Sequence, residues 1–317
     1  MTGVDAGHPA ARSFMPSRTD IAFAIALAVL IAYASFTSDS FATARNLTSI
    51  SRQLVTTGFL SLGMLVVILT GGIDLSVGSV VALAGLLVTG LQAHMPIPAA
   101  ILCALLAGLL AGVLNGSLIA QFKLQPFIVT LATMGSLRGL LYMYSDTPLY
   151  PTNDAFRGQL GGASVGPIPL PALLLILTVP FIWLYLNRTV SGRAVFAMGV
   201  NSEAVRLAGI SVRRHLVTAY AISGLLAAIA GVLLASRLGI AQPSVGTGYE
   251  LDAIAAVVIG GGILGGGGGT VLGVVGGVLA LALVDNVLNL FDVESYYQQF
   301  LKGLIILIAV LARRKNQ

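Results

Sequence analysis

The chain has 317 residues, a mean hydropathy of +0.94, 56% hydrophobic residues and only 9% charged ones, against roughly 25% charged in an ordinary soluble domain. This excludes a water-soluble globular enzyme and indicates a membrane protein, whose long unbroken apolar runs read as helices rather than as alternating barrel strands. The formal charge of +5 is not that of a nucleic-acid binder, because no basic run is interleaved with stacking aromatics.

In chain order, residues 1–20 read as a polar cytoplasmic tail. Helices are expected near 21–37, 54–70, 74–91, 97–121, 126–144, 168–186, 215–236, 250–264, 270–290 and 296–312, and residues 313–317 as a second cytoplasmic tail. The eighth ends in GGGILGGGGG, whose glycines fray a helix. The string AYAS in the first run resembles a cleavage site, but nine further spans favour an uncleaved first helix. With both termini inside, eleven Lys and Arg fall in cytoplasmic segments. Four fall outside (Arg45, Arg52, Arg157 and Arg237), and Arg138 and Lys302 remain within helices. An odd helix count would mix the two sets and spoil this positive-inside distribution. The expected fold is therefore all-α and integral to the membrane, with about ten transmembrane helices. The single cysteine, Cys103, cannot form an intramolecular disulfide and reads as a small core residue.

The chain also echoes itself. GIDLSVGSVVALAG from Gly72 aligns without a gap on GYELDAIAAVVIGG from Gly248, and LRGLL from Leu137 on LKGLI from Leu301. Each half thus has an acid, Asp74 or Glu250, at the start of one helix and a base, Arg138 or Lys302, within a later one. Helices 1 to 5 start inside and helices 6 to 10 outside, so the halves are expected to be inverted five-helix repeats, a transporter design. Asp74 is expected to cap its helix with Ser76 and Ser79 assisting, or to act at a sugar-binding or gating site. Arg138 must pair with an acid or line water, and Lys302 poses the same question. Asn115, Asn286 and Asn289, with Asp285 beside them, suit either a pathway for a polyhydroxy solute or helix–helix hydrogen bonds. Small-residue runs such as LLAGLLAG read as close-packing faces.

The cytoplasmic loop 187–214 carries five basic residues and one acid. Within it NSEAVRLAGI reads as a short helix, capped by Asn201 or Ser202, with Glu203 and Arg206 on it and Gly209 ending it. Such a helix suits a docking partner or anionic lipid. GGGGGT is not a phosphate loop, because no lysine follows a glycine. ATP power must therefore come from another subunit, or else protons are carried by Asp74, Asp252 or Asp285.

Four stretches now carry a family resemblance: GGIDLSVGS at 71–79, NSEAVRLAGI at 201–210, GTGYELDAIAAVVIGG at 246–261 and SYYQQFLKGLIILIAVL at 295–311. They resemble the permease subunit of bacterial ABC sugar importers, of the ribose type. The resemblance implies a second permease copy, a cytoplasmic ABC ATPase and a periplasmic sugar-binding protein, in the inner membrane. It also implies no catalytic residue and no cofactor in this chain, since ATP and Mg belong to the ATPase. The helix holding Glu203 and Gly209 is similar to the family's coupling helix, and the segments around Gly72 and from Gly248 to Asp252 match positions near the translocation interface. The outer segment 144–171 is silent on which sugar is carried. The resulting expectation is an importer permease for a pentose such as ribose, with another sugar, a sugar-like signal molecule, or a stand-alone proton-coupled carrier as alternatives.

Overall fold

The computed structural model describes residues 18–314, so most of the expected N-terminal tail and the last three residues of the C-terminal one lie outside it. The described chain is helical apart from loops and one small hairpin. The helices are α1 (Arg18–Thr37), α2 (Ala44–Leu69), α3 (Val77–Gly90), α4 (Ile97–Phe122), α5 (Pro126–Tyr144), the single turn α6 (Asp154–Phe156), α7 (Leu170–Arg188), α8 (Val190–Leu207), α9 (Val212–Leu238), α10 (Tyr249–Ile259), α11 (Val271–Leu290) and α12 (Ser295–Arg314). Strands β1 (Ser164–Val165) and β2 (Ile168–Pro169) form an antiparallel hairpin.

Local chemistry fixes many of these ends. Thr43, Thr189, Ser211 and Thr270 cap α2, α8, α9 and α11 by accepting a backbone N–H in the first turn. Prolines at the starts of α4, α5 and α7 need no hydrogen-bond acceptor there. Gly239, at φ +65°, ends α9.

Six helices of the described residues, α2, α4, α5, α7, α9 and α11, are long and apolar enough to cross a membrane. α9 is the hub and packs on α2, α3, α4 and α8. Its contact with α4 is close because Gly108, Gly112 and Gly116, spaced four apart, lay one bare face of α4 on the α9 backbone at Tyr220 and Gly224. A methyl at Gly112 would collide with the Tyr220 carbonyl. α3 and α10 are short, at 14 and 11 residues. At ~1.5 Å per residue neither crosses a ~30 Å hydrocarbon layer by itself. Each follows an irregular segment, 70–76 or 239–248. The two helices begin near one another, with Gly78 and Gly246 in backbone contact.

Several expectations need correction. α2 begins ten residues earlier than its apolar run, because the polar stretch ARNLTSISRQ is itself helical; Arg45 and Arg52 therefore lie on a helix rather than in an outer loop. α10 ends at Ile259, since the glycines after it cannot hold helix against their turn conformations. α1 includes residues 18–20 and α12 includes Arg313 and Arg314. Most of the expected cytoplasmic loop is helix α8, kinked at Asn201. Cys103 is exposed on the outward face of α4 rather than buried in a core.

Candidate functional site

The break before α3 turns the chain so that Asp74 points inward, 1% exposed. Its Oδ1 accepts from the Ser76 backbone N–H at 3.0 Å and from the Ser76 hydroxyl at 2.6 Å, and its Oδ2 accepts from the Ser223 hydroxyl of α9 at 2.8 Å. Asn115 of α4 donates to Ser76 Oγ at 2.9 Å, and Thr133 of α5 donates to Asn115 Oδ1 at 2.6 Å. Asp74, Ser76 and Asn115 thus meet in one closed network across four elements, with three donors to the carboxylate. Among the described residues no cation lies within 4 Å of it. Two expectations change here. α3 starts only at Val77, so Asp74 caps the turn leading into it rather than the helix proper. Ser79 does not assist, because its hydroxyl donates to the Met134 carbonyl of α5 at 3.0 Å. The counterpart Glu250 lies one residue inside α10 and reaches back to accept from the Gly248 N–H at 3.2 Å.

Arg138, on α5, is paired with no acid among the described residues. It donates to the carbonyls of Pro243 and Val245, the latter at 2.8 Å, and so ties α5 to the irregular segment before α10. Lys302 behaves as expected of a buried base: its Nζ lies 3.2 Å from Asp252 Oδ2 and 3.0 Å from Asp285 Oδ2, all three side chains being at most one-fifth exposed. Asn286 does not join them. It forms a reciprocal amide pair with Asn46 at 2.9 and 2.7 Å, a buried clasp between α2 and α11.

The Lys302 triad forms one wall of a polar cavity of about 470 Å³, within the ~300–1,000 Å³ usual for small-molecule sites. Asn289, Tyr249, Arg52 and Arg237 contribute further wall groups, and Arg237 donates to the Arg52 carbonyl at 2.8 Å. These come from the start of α2, the end of α9, the start of α10 and the end of α11. A second cavity of about 330 Å³ between α2, α7 and α11 is almost wholly apolar.

At the opposite end of α9, 27 residues and so about 40 Å away, lies the second half of α8. The kink at Asn201 (φ −159°, ψ 95°) starts a new helix there, and Asn201 Oδ1 accepts from the Ala204 N–H at 3.0 Å. Ser202 is exposed and offers no cap. Gly209, at φ +79°, closes the helix, with the Ile210 N–H reaching the Val205 carbonyl at 3.2 Å. Glu203 and Arg206 pair across one turn, at 2.5 and 2.9 Å, fully in solvent. The Arg206 hydrogen bond holds the Glu203 carboxyl below its ordinary range.

Sequence reasoning missed Ser223, Thr133, Asn46, Arg52 and Arg237. The first three are single small polar residues in apolar or Ser/Thr-rich context, and nothing local distinguishes them. The arginines were visible, but the apolar run placed α2 too late to set Arg52 on it.

The sequence profile of the family described as the permease component of the branched-chain amino acid transport system matches residues 46–310. Among curated proteins, the chain is 44% identical to the ribose import permease protein of Bacillus subtilis, covering 92% of each chain, and 42% identical to that of Haemophilus influenzae, covering 91% of each. It is 39% identical to the L-arabinose transport system permease protein of Escherichia coli, over 92% of this chain and 90% of that one. No solved structure matches it.

Proposed function

Since this chain belongs to the family of permease components of the branched-chain amino acid transport system, we propose that it is the membrane subunit of an ATP-binding-cassette importer bringing ribose into a bacterial cytoplasm. The observation that carries the substrate is the 41–44% identity to ribose import permeases over about nine-tenths of the chain. In this reading two permease copies in the inner membrane receive sugar from a periplasmic binding protein, and a cytoplasmic ATPase supplies the energy. The chain itself holds neither ATP nor Mg.

The reading includes ten spans in two inverted repeats, with both termini cytoplasmic. The packing supports this: α3 packs on α9, α4 and α5, while α10 packs on α2, α11 and α12. Exchanging α2 with α9, α4 with α11 and α5 with α12 maps one set onto the other. α3 and α10 then act as half-helices entering from opposite sides, the first turn of α3 meeting the segment just before α10 at Gly78 and Gly246. The Asn201–Gly209 segment is the surface that docks on the ATPase. Asp74, Ser76 and Asn115 hold the first half-helix in register, and Asp252, Asp285 and Lys302 do the same for the second. Alternating access follows if ATP-driven movement of α8 rocks one set against the other.

The test is radiolabelled ribose uptake by proteoliposomes containing this chain with its ATPase and binding protein. Uptake that requires all three components and ATP supports the reading. Uptake by the chain alone under a proton gradient would replace it with a secondary carrier, and uptake of arabinose in preference to ribose would change the sugar.

A further inference from the structure

Resting on that reading, we infer that the polar cavity at the α2–α9–α10–α11 end is a monosaccharide-binding station within each subunit, where Arg52, Asp285 and Asn289 hold a sugar before it moves inward.

Three features of the cavity converge on this. Its position is opposite the α8 end of the bundle, so with α8 toward the cytoplasm it lies on the side from which a binding protein delivers sugar. Its charges are mixed: Arg52, Arg237 and Lys302 stand against Asp252 and Asp285. The desolvation of five charged groups excludes an apolar guest. A polar solute with many hydroxyls suits such a wall. The wall also carries neutral polar groups, the Asn289 amide and the Tyr249 hydroxyl, beside its charges. A sugar hydroxyl accepts one hydrogen bond and donates another, so a polyol meets donors and acceptors alike without bringing charge of its own. The Asp74 network offers no comparable place, since its buried groups already satisfy one another.

The test uses the assembled permease–ATPase–binding-protein complex in lipid nanodiscs, with Cys103 replaced by serine. Thr57→Cys places a thiol on the cavity wall, and Leu279→Cys places one on the apolar cavity as a control. Ribose with its binding protein, in the absence of nucleotide, is expected to slow labelling of Thr57→Cys by a membrane-impermeant maleimide while leaving Leu279→Cys unchanged. Arg52→Gln, which removes a charged donor, is expected to lower both this protection and ribose uptake about tenfold, while the complex still assembles. Labelling of Thr57→Cys that ignores ribose in a complex that imports it overturns the station and leaves the importer reading intact. Failure of the unmodified complex to import ribose instead overturns the substrate reading on which the station rests.

Discussion

Lys302 and Asp74 show two ways of keeping a carboxylate inside a membrane protein. Around Lys302 a cation stands between two acids, so Lys302→Ala leaves both carboxylates uncompensated, at an expected cost of about 3–5 kcal/mol. Neutralising all three together, as Lys302→Met with Asp252→Asn and Asp285→Asn, removes the stranded charge and is expected to be milder. Denaturation midpoints of the purified complex decide it, and a triple variant weaker than Lys302→Ala would mean the triad does not act as a unit. Around Asp74 the compensation is hydrogen bonding alone. Ser223→Ala removes the only donor to Oδ2 among the described residues and is expected to cost about 1–3 kcal/mol, the penalty for a buried acceptor left bare; an unchanged midpoint would show that another donor replaces it. Arg138 follows neither pattern. Its sequence predicts a partner acid or a water-lined place; in the structure two part-buried carbonyls of the irregular 239–248 segment accept its hydrogen bonds, and no residue type in that segment signals it.

At the scale of elements, the second half of α8 is specified almost wholly by its own residues. Asn201 caps it, the Glu203–Arg206 pair spans one turn, and Gly209 supplies the left-handed exit, so this helix was legible before any tertiary contact was known. Its surface is charged and solvent-exposed, which makes charge the sensitive variable. Glu203→Lys puts a second cation beside Arg206 and is expected to weaken assembly with the ATPase while leaving the permease folded; co-purification measures it, and undiminished assembly would remove Glu203 from the docking surface. The pH dependence has a definite sign. The folded-state pKa of Glu203 is depressed by Arg206, so the pair's contribution is present above the unfolded carboxylate value and is lost only as pH falls through the depressed one. Co-purification is therefore expected to stay level across the neutral and mildly acidic range. The half-helices α3 and α10 were less legible, because their starts depend on where backbone breaks occur and glycine permits a break without fixing its position.

Across the whole molecule, each of the ten apolar runs falls on a helix, and six of the helices of the described residues are long and apolar enough to cross a membrane, since length and hydrophobicity are properties a sequence displays openly. What connects them is hidden, because it consists mostly of backbone. The clearest case is the junction at Gly199, in the first half of α8. There the Leu69 carbonyl at the end of α2 accepts from the Gly267 N–H at 3.0 Å, and Gly199 packs directly on both groups. One contact thus joins α8 to the break before α3 and to the glycine loop after α10, so under the proposed importer mechanism a movement of α8 is passed to α3 and α10 without an intervening side chain. A Cβ at Gly199 would collide with the Leu69 oxygen and the Gly267 nitrogen, neither of which is a flexible side-chain end. Gly199→Val is therefore expected to force the three segments apart by an overpacking cost of about 1–3 kcal/mol, leaving ATP hydrolysis while lowering sugar transported per ATP. Gly135→Ala, where a Cβ meets nothing within 4 Å, is the matched control and is expected to transport normally. Unimpaired stoichiometry in Gly199→Val would mean that the movement of α8 reaches the half-helices by another route.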